Sequence, residues 1–150
     1  MKKFGLFALA LITSASVYAQ NGIEAGSRFG RGQDSIKIRE NISIYVEYYK
    51  TNDFKSAYEN GWKTVFEQAP LASVNTYNYG IKILHSLYND AKAAKDEELM
   101  SKYSTELFQV YEQRLKYLDQ LNAFAQNKVT EYEVLGQYGH DYMSYNPRVQ

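Results

Sequence analysis

The hydrophobic and polar positions from Asp34 onward alternate with the period of an α-helix. The first apolar stripe recurs every three or four residues and consists of Ile38, Ile42, Tyr45 and Tyr49. Either Asp34 or Ser35 is expected to cap this helix, because both side chains accept hydrogen bonds from free backbone amides at a helix start. The polar sequence KTN, residues 50–52, is predicted to end it.

A second predicted helix follows directly and folds back on the first. Asp53 is its expected cap, and its apolar face consists of Phe54, Ala57, Tyr58, Trp62, Val65 and Phe66. Pro70 ends it, since proline clashes with a continuing helical turn and moves the preceding residue out of the α region. Because the break between the two helices is so short, they must run antiparallel, and residues 34–70 are predicted to form a helical hairpin.

Two further units are predicted downstream. Residues 72–119 form a long hairpin whose first helix carries Val74, Tyr77, Ile81, Leu84, Tyr88 and Ala91, and whose second carries Met100, Tyr103, Leu107, Val110 or Tyr111, and Leu118. The charged sequence KAAKDEE separates them, with Asp96 as a cap. A third unit begins within residues 127–150, where Val129, Tyr132 and Leu135 share one face. No segment carries a comparable strand pattern, so the sequence predicts an all-α fold.

The N-terminal residues have a different character. Residues 1–19 combine two lysines, an apolar core and the small-residue ending Val17-Tyr18-Ala19, which is typical of a secretory signal peptide. The alternative is a membrane anchor, but the apolar core is shorter than the roughly 20 residues that a spanning helix needs. Residues 20–33 hold four glycines and predict a flexible leader, in which Arg28 and Arg31 are solvated rather than bound to a phosphate or headgroup. We therefore expect export to the periplasm, the outer membrane or the exterior of a Gram-negative-type envelope.

Composition narrows the class of protein. The chain has 17 basic and 17 acidic residues without a concentrated basic stripe, which argues against a nucleic-acid partner. It has no cysteine, so burial alone must hold the exported fold together. It has 15 tyrosines, a residue that suits half-buried helix faces and binding surfaces alike, because its ring packs while its hydroxyl meets water.

The hairpin over residues 34–70 resembles the tetratricopeptide repeat, whose pattern is W-x2-L-G-x2-Y, then A-x3-F, then P, over about 34 residues. With Tyr48 on the tyrosine of the motif, Ile44 takes its leucine position and Ala57 its alanine position. Trp62 and Pro70 keep the motif spacing but lie one residue late. A one-residue insertion is therefore predicted between Ala57 and Trp62.

Later residues repeat parts of the motif. Gly80 lies 35 residues after its counterpart Tyr45, which is close to one repeat. The sequence YEVLG, with Tyr132, Leu135 and Gly136, restores the aromatic-x2-Leu-Gly signature at the start of the third unit. The middle unit is too long for a standard repeat, and a generic helical bundle is the alternative.

The resemblance implies antiparallel hairpins stacked as a short right-handed superhelix, whose first helices line a concave groove for a protein or peptide. Ala57 would allow close approach of two helices, and Phe54 and Trp62 would fill the space between hairpins. The third unit lacks a second helix, and such stacks need their last apolar face covered. We expect this face to continue into a longer repeat array; cover by a partner protein is the alternative.

The sequence predicts no catalytic, cofactor or metal site. His85 and His140 are its only histidines and are 55 residues apart, without any metal-binding spacing, so His85 is expected to be a half-exposed packing residue. Contiguous acids at Asp96 stabilise a helix dipole. The sequence GSRFGRG lacks the Gly-Lys-Ser/Thr of a phosphate loop. We therefore predict that the chain is not an enzyme.

Candidate partner contacts come from the first helices of the two hairpins. They are Tyr45, Asn78, Tyr79 and Lys82, whereas Tyr48 and Tyr49 are expected to lie in the core. The resulting hypothesis is an exported protein–protein interaction scaffold that serves secretion or assembly. The alternative is a glycan-binding helical-repeat protein, in which exposed tyrosine rings stack on sugar faces.

Overall fold

The computed structural model describes residues 28–146, and its regular structure is entirely helical. The helices are α1 Gln33–Lys50, α2 Phe54–Ala57, α3 Lys63–Gln68, α4 Val74–Ala94, α5 Glu97–Lys116, α6 Leu118–Phe124 and α7 Glu131–Tyr145, and a kinked turn, Tyr58–Trp62, joins α2 to α3. The absence of strands from residues 28–146 confirms the predicted all-α fold. The predicted signal peptide, residues 1–19, lies outside the described residues, as do 20–27 and 147–150.

None of the helices between residues 28 and 146 has the length and apolarity that crossing a membrane requires.

The first helix pair consists of α1 packed against α2, the kinked turn and α3. The Asp53 side chain caps α2 as predicted, accepting the Ser56 N–H at 3.1 Å. The chain is kinked between Ala57 and Trp62, where the insertion is predicted, because Asn60 and Gly61 leave the helical conformation. Ala57 itself is fully buried.

A close approach to α1 explains the glycine in this turn. Gly61 has a φ of 143°, and a Cβ atom there would lie 2.5 Å from the carbonyl oxygen of Asn41 in α1. A side chain at residue 61 would therefore be excluded both by backbone conformation and by contact with α1.

Trp62 joins this pair to α4. Its indole Nε1–H donates to the Thr76 carbonyl oxygen at 2.8 Å, and its ring stacks on Phe66 with centroids 5.2 Å apart. The ring lies directly against Gly80 of α4. The prediction that Trp62 fills the space between the two helix pairs is confirmed.

The second pair consists of α4 and α5, which pack along each other. Ser73 caps α4, and Lys95 ends it in the left-handed conformation, with a φ of 57°. Asp96 then caps α5 as predicted, accepting the Leu99 N–H at 3.0 Å. The chain therefore reverses over two residues between the helices.

Two predictions about α1 are wrong. The helix begins at Gln33 after Gly32, and no side chain caps it, so Asp34 and Ser35 lie inside its first turn. The motif positions Ile44 and Tyr48 are 45% and 36% exposed, because the core-facing stripe of α1 follows Ile38 and Tyr45 on another side of the helix. Tyr48 is therefore not the core residue that the motif alignment predicts.

The predicted face of the last helix is also wrong. Tyr132 and Leu135 are 86% and 43% exposed, and Gly136 is exposed as well. The residues that face the core are Val134, Tyr138, Asp141 and Tyr145, at the i, i+4, i+7, i+11 spacing. The sequence allows both stripes, and packing against α5 selects the second. A short helix that was not predicted, α6, precedes α7.

The leader is not wholly flexible. Phe29 packs against the buried core, and the Arg39 guanidinium lies 4.8 Å from the centre of its ring. The Arg28 guanidinium lies 4.9 Å from the ring centre of Phe124, at the end of α6. These contacts tie residues 28 and 29 to the helices.

Phe29→Ala is accordingly expected to lower the free energy of unfolding by about 1 kcal/mol, because it removes a half-buried ring and its cation–π contact. Urea denaturation followed by circular dichroism measures the change. Ile36→Ala is the matched control, since Ile36 is 50% exposed and should lose little. Equal stabilities of wild type and Phe29→Ala would show that the leader does not pack.

Candidate functional site

A groove runs along the side of α4 that faces α7 and the loop before it. It consists of two clefts, of about 350 and 490 Å³, and Asn78 lines both. Asn75, Asn78, Ile81 and His85 line it from α4, and Gln137 and His140 line it from α7. Pockets of this size suit small ligands or a few residues of a peptide.

The first cleft is rich in amides and carries one cation. Its polar side chains include Asn75, Asn78, Gln126 and Asn127, with Arg28 at one edge. No acidic residue lines it. Phe124 adds an aromatic ring that is 53% exposed. The cleft therefore offers hydrogen-bond donors, acceptors and a ring face together.

The second cleft contains a hydrogen-bonded cluster centred on the carboxylate of Asp141. Its Oδ2 accepts the Tyr111 hydroxyl at 2.7 Å and lies 2.9 Å from His85 Nε2, while Oδ1 lies 3.2 Å from His140 Nδ1. His85 Nδ1 is paired with the Tyr145 hydroxyl. The cluster connects α4, α5 and α7, and Asp141 is only 7% exposed.

The hydrogen bonds constrain the proton positions of His85. A carboxylate only accepts, so Nε2 donates to Asp141, and in the neutral imidazole Nδ1 is the acceptor for the Tyr145 hydroxyl. Both imidazole nitrogens of His85 are thus hydrogen-bonded to side chains of α7. The cluster therefore connects α7 to α4 and α5 through side-chain hydrogen bonds.

Burial and the nearby carboxylate act on the two tyrosines of the cluster in the same direction. Burial, followed by the hydrogen bond to Asp141, raises the pKa of Tyr111 far above its ordinary value. Burial, followed by the charge of Asp141, raises the pKa of Tyr145 to about 12. Both hydroxyls therefore stay protonated, and donate, at any physiological pH.

Residues 28–146 contain no group of three His, Asp or Glu side chains arranged to hold a metal ion. Asp141 has histidines on both sides, but its oxygens are occupied by hydrogen bonds.

The structure places the four predicted partner contacts differently. The prediction that Tyr45 contacts a partner is wrong, because its side chain is 1% exposed and its hydroxyl lies 3.4 Å from Thr76 Oγ1 in the core. Burial also raises the pKa of Tyr45. Tyr79 is half-buried and stacks on Tyr49 at 4.0 Å. Asn78 is exposed and lies at the junction of the two clefts.

Lys82 is exposed but is not in either cleft. Its ammonium lies 5.3 Å from the ring centre of Tyr49 and 5.5 Å from that of Phe54, so it covers the junction of the two helix pairs. His85, predicted to be a half-exposed packing residue, has a side chain that is 33% exposed and is engaged by α7.

Sequence reasoning missed the cluster around Asp141 because its members are 30 and 56 residues apart. One signal was available. Asp141 stands four residues before Tyr145 and seven after Val134, on an otherwise apolar stripe. An acid at a core position needs donors, and buried tyrosine or histidine side chains supply them.

Asp141→Asn is expected to lower the free energy of unfolding by about 2 kcal/mol, since it removes the charge that strengthens two hydrogen bonds without changing side-chain volume. Urea denaturation at neutral pH measures it. Asp90→Asn, at an exposed position of α4, should leave stability unchanged. A loss of the same size in both variants would mean that general charge, rather than the cluster, is responsible.

The described residues thus form an all-helical protein with paired helices and a groove between α4 and α7. Comparisons with protein-family models, with curated proteins and with solved structures find no match.

Proposed function

We propose that the chain is an exported, tetratricopeptide-repeat-like interaction module that binds an extended segment of a protein or peptide along α4. The observation that carries this proposal is the pair of adjoining clefts that meet at Asn78. Export is supported by the signal-peptide pattern of residues 1–19.

The length and chemistry of the groove suit an extended backbone. Asn75 and His85 are ten residues apart on one helix, which corresponds to roughly 15 Å, or about four to five extended peptide residues. Amide side chains such as Asn78 and Gln137 each offer donors and an acceptor, as does every peptide unit. Apolar Val74 lines the first cleft and apolar Ile81 the second, and both can contact side chains of the ligand.

The stacked arrangement is supported by the contacts between pairs. Trp62 of the first pair packs on Gly80 of α4, and α7 packs on α5. In such a stack the helices α1, α4 and α7 occupy equivalent places, as the first helix of each unit. The groove between α4 and α7 then lies on the concave surface.

Peptide selection from a random display library, followed by calorimetric titration, tests the function. We expect the selected peptides to bind the wild type and to bind Asn78→Leu at least about tenfold more weakly, since residue 78 lines both clefts. Asn89→Leu is the control, because Asn89 is exposed on the same helix outside both clefts. Failure to select any peptide, or equal affinities of the two variants, would refute the proposal.

Glycan binding is the second candidate function, and the first cleft favours it. The half-exposed ring of Phe124 lies among amides and beside Arg28, a combination that suits stacking and hydrogen bonding to a sugar. The ring in this cleft is therefore a phenylalanine and not one of the tyrosines that the sequence predicts to stack on a sugar. A saccharide array with wild type and Phe124→Ala distinguishes this candidate, since only the wild type should bind.

A further inference from the structure

Arg114 of α5 is a buried cation without a partner in the described part of the fold. Three polar or charged side chains of residues 28–146 are buried, namely Thr76, Arg114 and Asp141. The Thr76 hydroxyl lies 3.4 Å from that of Tyr45, and Asp141 accepts the Tyr111 hydroxyl at 2.7 Å. Arg114 is 4% exposed, but within residues 28–146 its side chain has neither a hydrogen bond nor a carboxylate at salt-bridge distance. It is the exception to the rule that buried polar groups are paired.

The polar groups around Arg114 are committed to other partners. Those that act on it electrostatically are Tyr111, Tyr77 and Glu133. The Tyr77 hydroxyl donates to the Pro70 carbonyl oxygen at 2.7 Å, and the Glu133 carboxylate accepts from the backbone and the hydroxyl of Thr130. Burial lowers the pKa of Arg114, but a guanidinium stays protonated at physiological pH. Because an unpaired buried charge costs free energy that a paired one recovers, Arg114 calls for an anion.

Arg114 lies next to the groove between α4 and α7. Tyr77 directly precedes Asn78, where the two clefts meet, and Tyr111 lines the second cleft. Gly136 lines the same cleft from α7, and a Cβ atom there would meet no heavy atom within 4 Å. Every fully buried side-chain nitrogen of the described residues has a hydrogen bond, so the nitrogens of Arg114, which have none, must reach solvent. A ligand in the groove can therefore reach them.

The other charges of the groove are compatible with an anionic ligand. Arg28 adds a second cation at the edge of the first cleft, which no acidic residue lines. Asp141 is the acid that lines the second cleft, and its carboxylate is already hydrogen-bonded to Tyr111 and His85. The anionic group of a peptide is a carboxylate, whose two oxygens match the fork of N–H donors on a guanidinium.

We propose that the peptide segment bound along α4 carries a carboxylate and that Arg114 pairs with it. This inference rests on the proposed function and names the chemistry of its ligand. The carboxylate belongs either to an Asp or Glu side chain or to the end of the partner chain. In the free protein Arg114 is held without a partner, at a cost in stability that binding of the carboxylate removes.

Calorimetric titration with peptides selected on the wild type, from a library with free C-termini, tests the ligand side. Each selected peptide is compared with versions in which every Asp or Glu becomes its amide, one at a time, and with a version whose C-terminus is amidated. We expect one of these changes to weaken binding at least about tenfold, because it removes the charge that Arg114 pairs with. The change that does so identifies the source of the carboxylate.

Arg114→Met tests the protein side, since methionine keeps an apolar stem of similar length without the charge. It should bind the original peptide at least about tenfold more weakly, but bind the peptide that lacks the carboxylate as well as the wild type does. Lys116→Met is the matched control, because it removes the same charge from an exposed position of the same helix and should leave both affinities unchanged.

The Tm of the free protein separates binding from folding. Arg114→Met should melt at or above the wild-type Tm, because it removes an unpaired buried charge. A lower Tm would show that the fold itself satisfies the guanidinium and would overturn the inference, as would an equal effect of Lys116→Met. Peptides that bind equally well without any carboxylate would overturn it and leave the proposed function standing, whereas failure to select any peptide would refute both.

Discussion

Replacing Gly80 by alanine is expected to lower the free energy of unfolding by about 3 kcal/mol, although it adds a single methyl group. A Cβ atom at residue 80 would lie 2.3, 2.6 and 2.7 Å from three ring atoms of Trp62, which is far inside van der Waals contact. The ring cannot retreat, because its Nε1–H is held by the Thr76 carbonyl and its face is stacked on Phe66. The methyl group must therefore push α4 away from the first helix pair.

Gly136→Ala is the matched control, since residue 136 is also a helical glycine and takes the same position in the predicted repeat. Nothing lies within 4 Å of its Cβ position, so alanine should raise stability by about 0.5–1 kcal/mol. Urea denaturation of the two variants, followed by circular dichroism, measures the difference. Similar effects at both positions would mean that Trp62 does not pack against α4 as described.

The helices could be predicted because their apolar stripes are long and because residues that cap or end helices mark the breaks between them. Asp53, Asp96 and Pro70 lie where a cap or a stop is needed, and the structure uses both acids as caps. The start of α1 was predicted less accurately than the starts of α2 and α5. A polar segment offers several capping side chains, and the helix takes none of them.

The faces of α1 and α7 were harder to predict than the helices themselves. Each helix has apolar residues on two sides, so periodicity alone allows either side to be buried. Val134 is buried and Leu135 is exposed, although both are aliphatic and adjacent. The choice depends on α5, whose contacts with α7 are tertiary and leave no local signal in the sequence.

The candidate site could be predicted only in part, for a similar reason. Asn78 could be named because it neighbours Tyr79, which lies off the apolar stripe of a helix expected to line a groove. Gln126 and Asn127 could not, because they reach the groove through a loop whose path no periodic pattern describes. His85 and Asp141 were separately visible, but only the packing of α7 on α4 brings them together.

Above pH 10 the protein is expected to unfold steeply, because three buried tyrosines resist ionisation. Tyr58, Tyr77 and Tyr111 are each less than 7% exposed. Their hydroxyls donate to the Glu106 carboxylate at 2.8 Å, the Pro70 carbonyl at 2.7 Å and the Asp141 carboxylate at 2.7 Å. An ionised phenolate would lose that hydrogen bond and face an acceptor or a negative charge.

The direction of the effect follows from the two states of each tyrosine. In the unfolded chain a tyrosine has a pKa of about 10. In the folded protein burial is the main cause that raises the pKa of Tyr58 to about 12, and it raises the pKa values of Tyr77 and Tyr111 further. Folding is unaffected below pH 10, where both states are protonated. Above it the unfolded state releases more protons, so stability falls by about 1.4 kcal/mol per pH unit for each tyrosine, or about 4 for the three together.

Urea denaturation at a series of alkaline pH values measures this slope, and the ultraviolet absorbance of tyrosinate follows ionisation in parallel. The absorbance of the buried tyrosines should rise together with the loss of helical circular dichroism rather than before it. Tyr77→Phe should lower the slope by about 1.4 kcal/mol per pH unit, since it removes one of the hydroxyls whose pKa burial raises. Stability that stays constant well above pH 10, or tyrosinate that forms while the helices persist, would show that these hydroxyls reach solvent, which is incompatible with the core described for this chain.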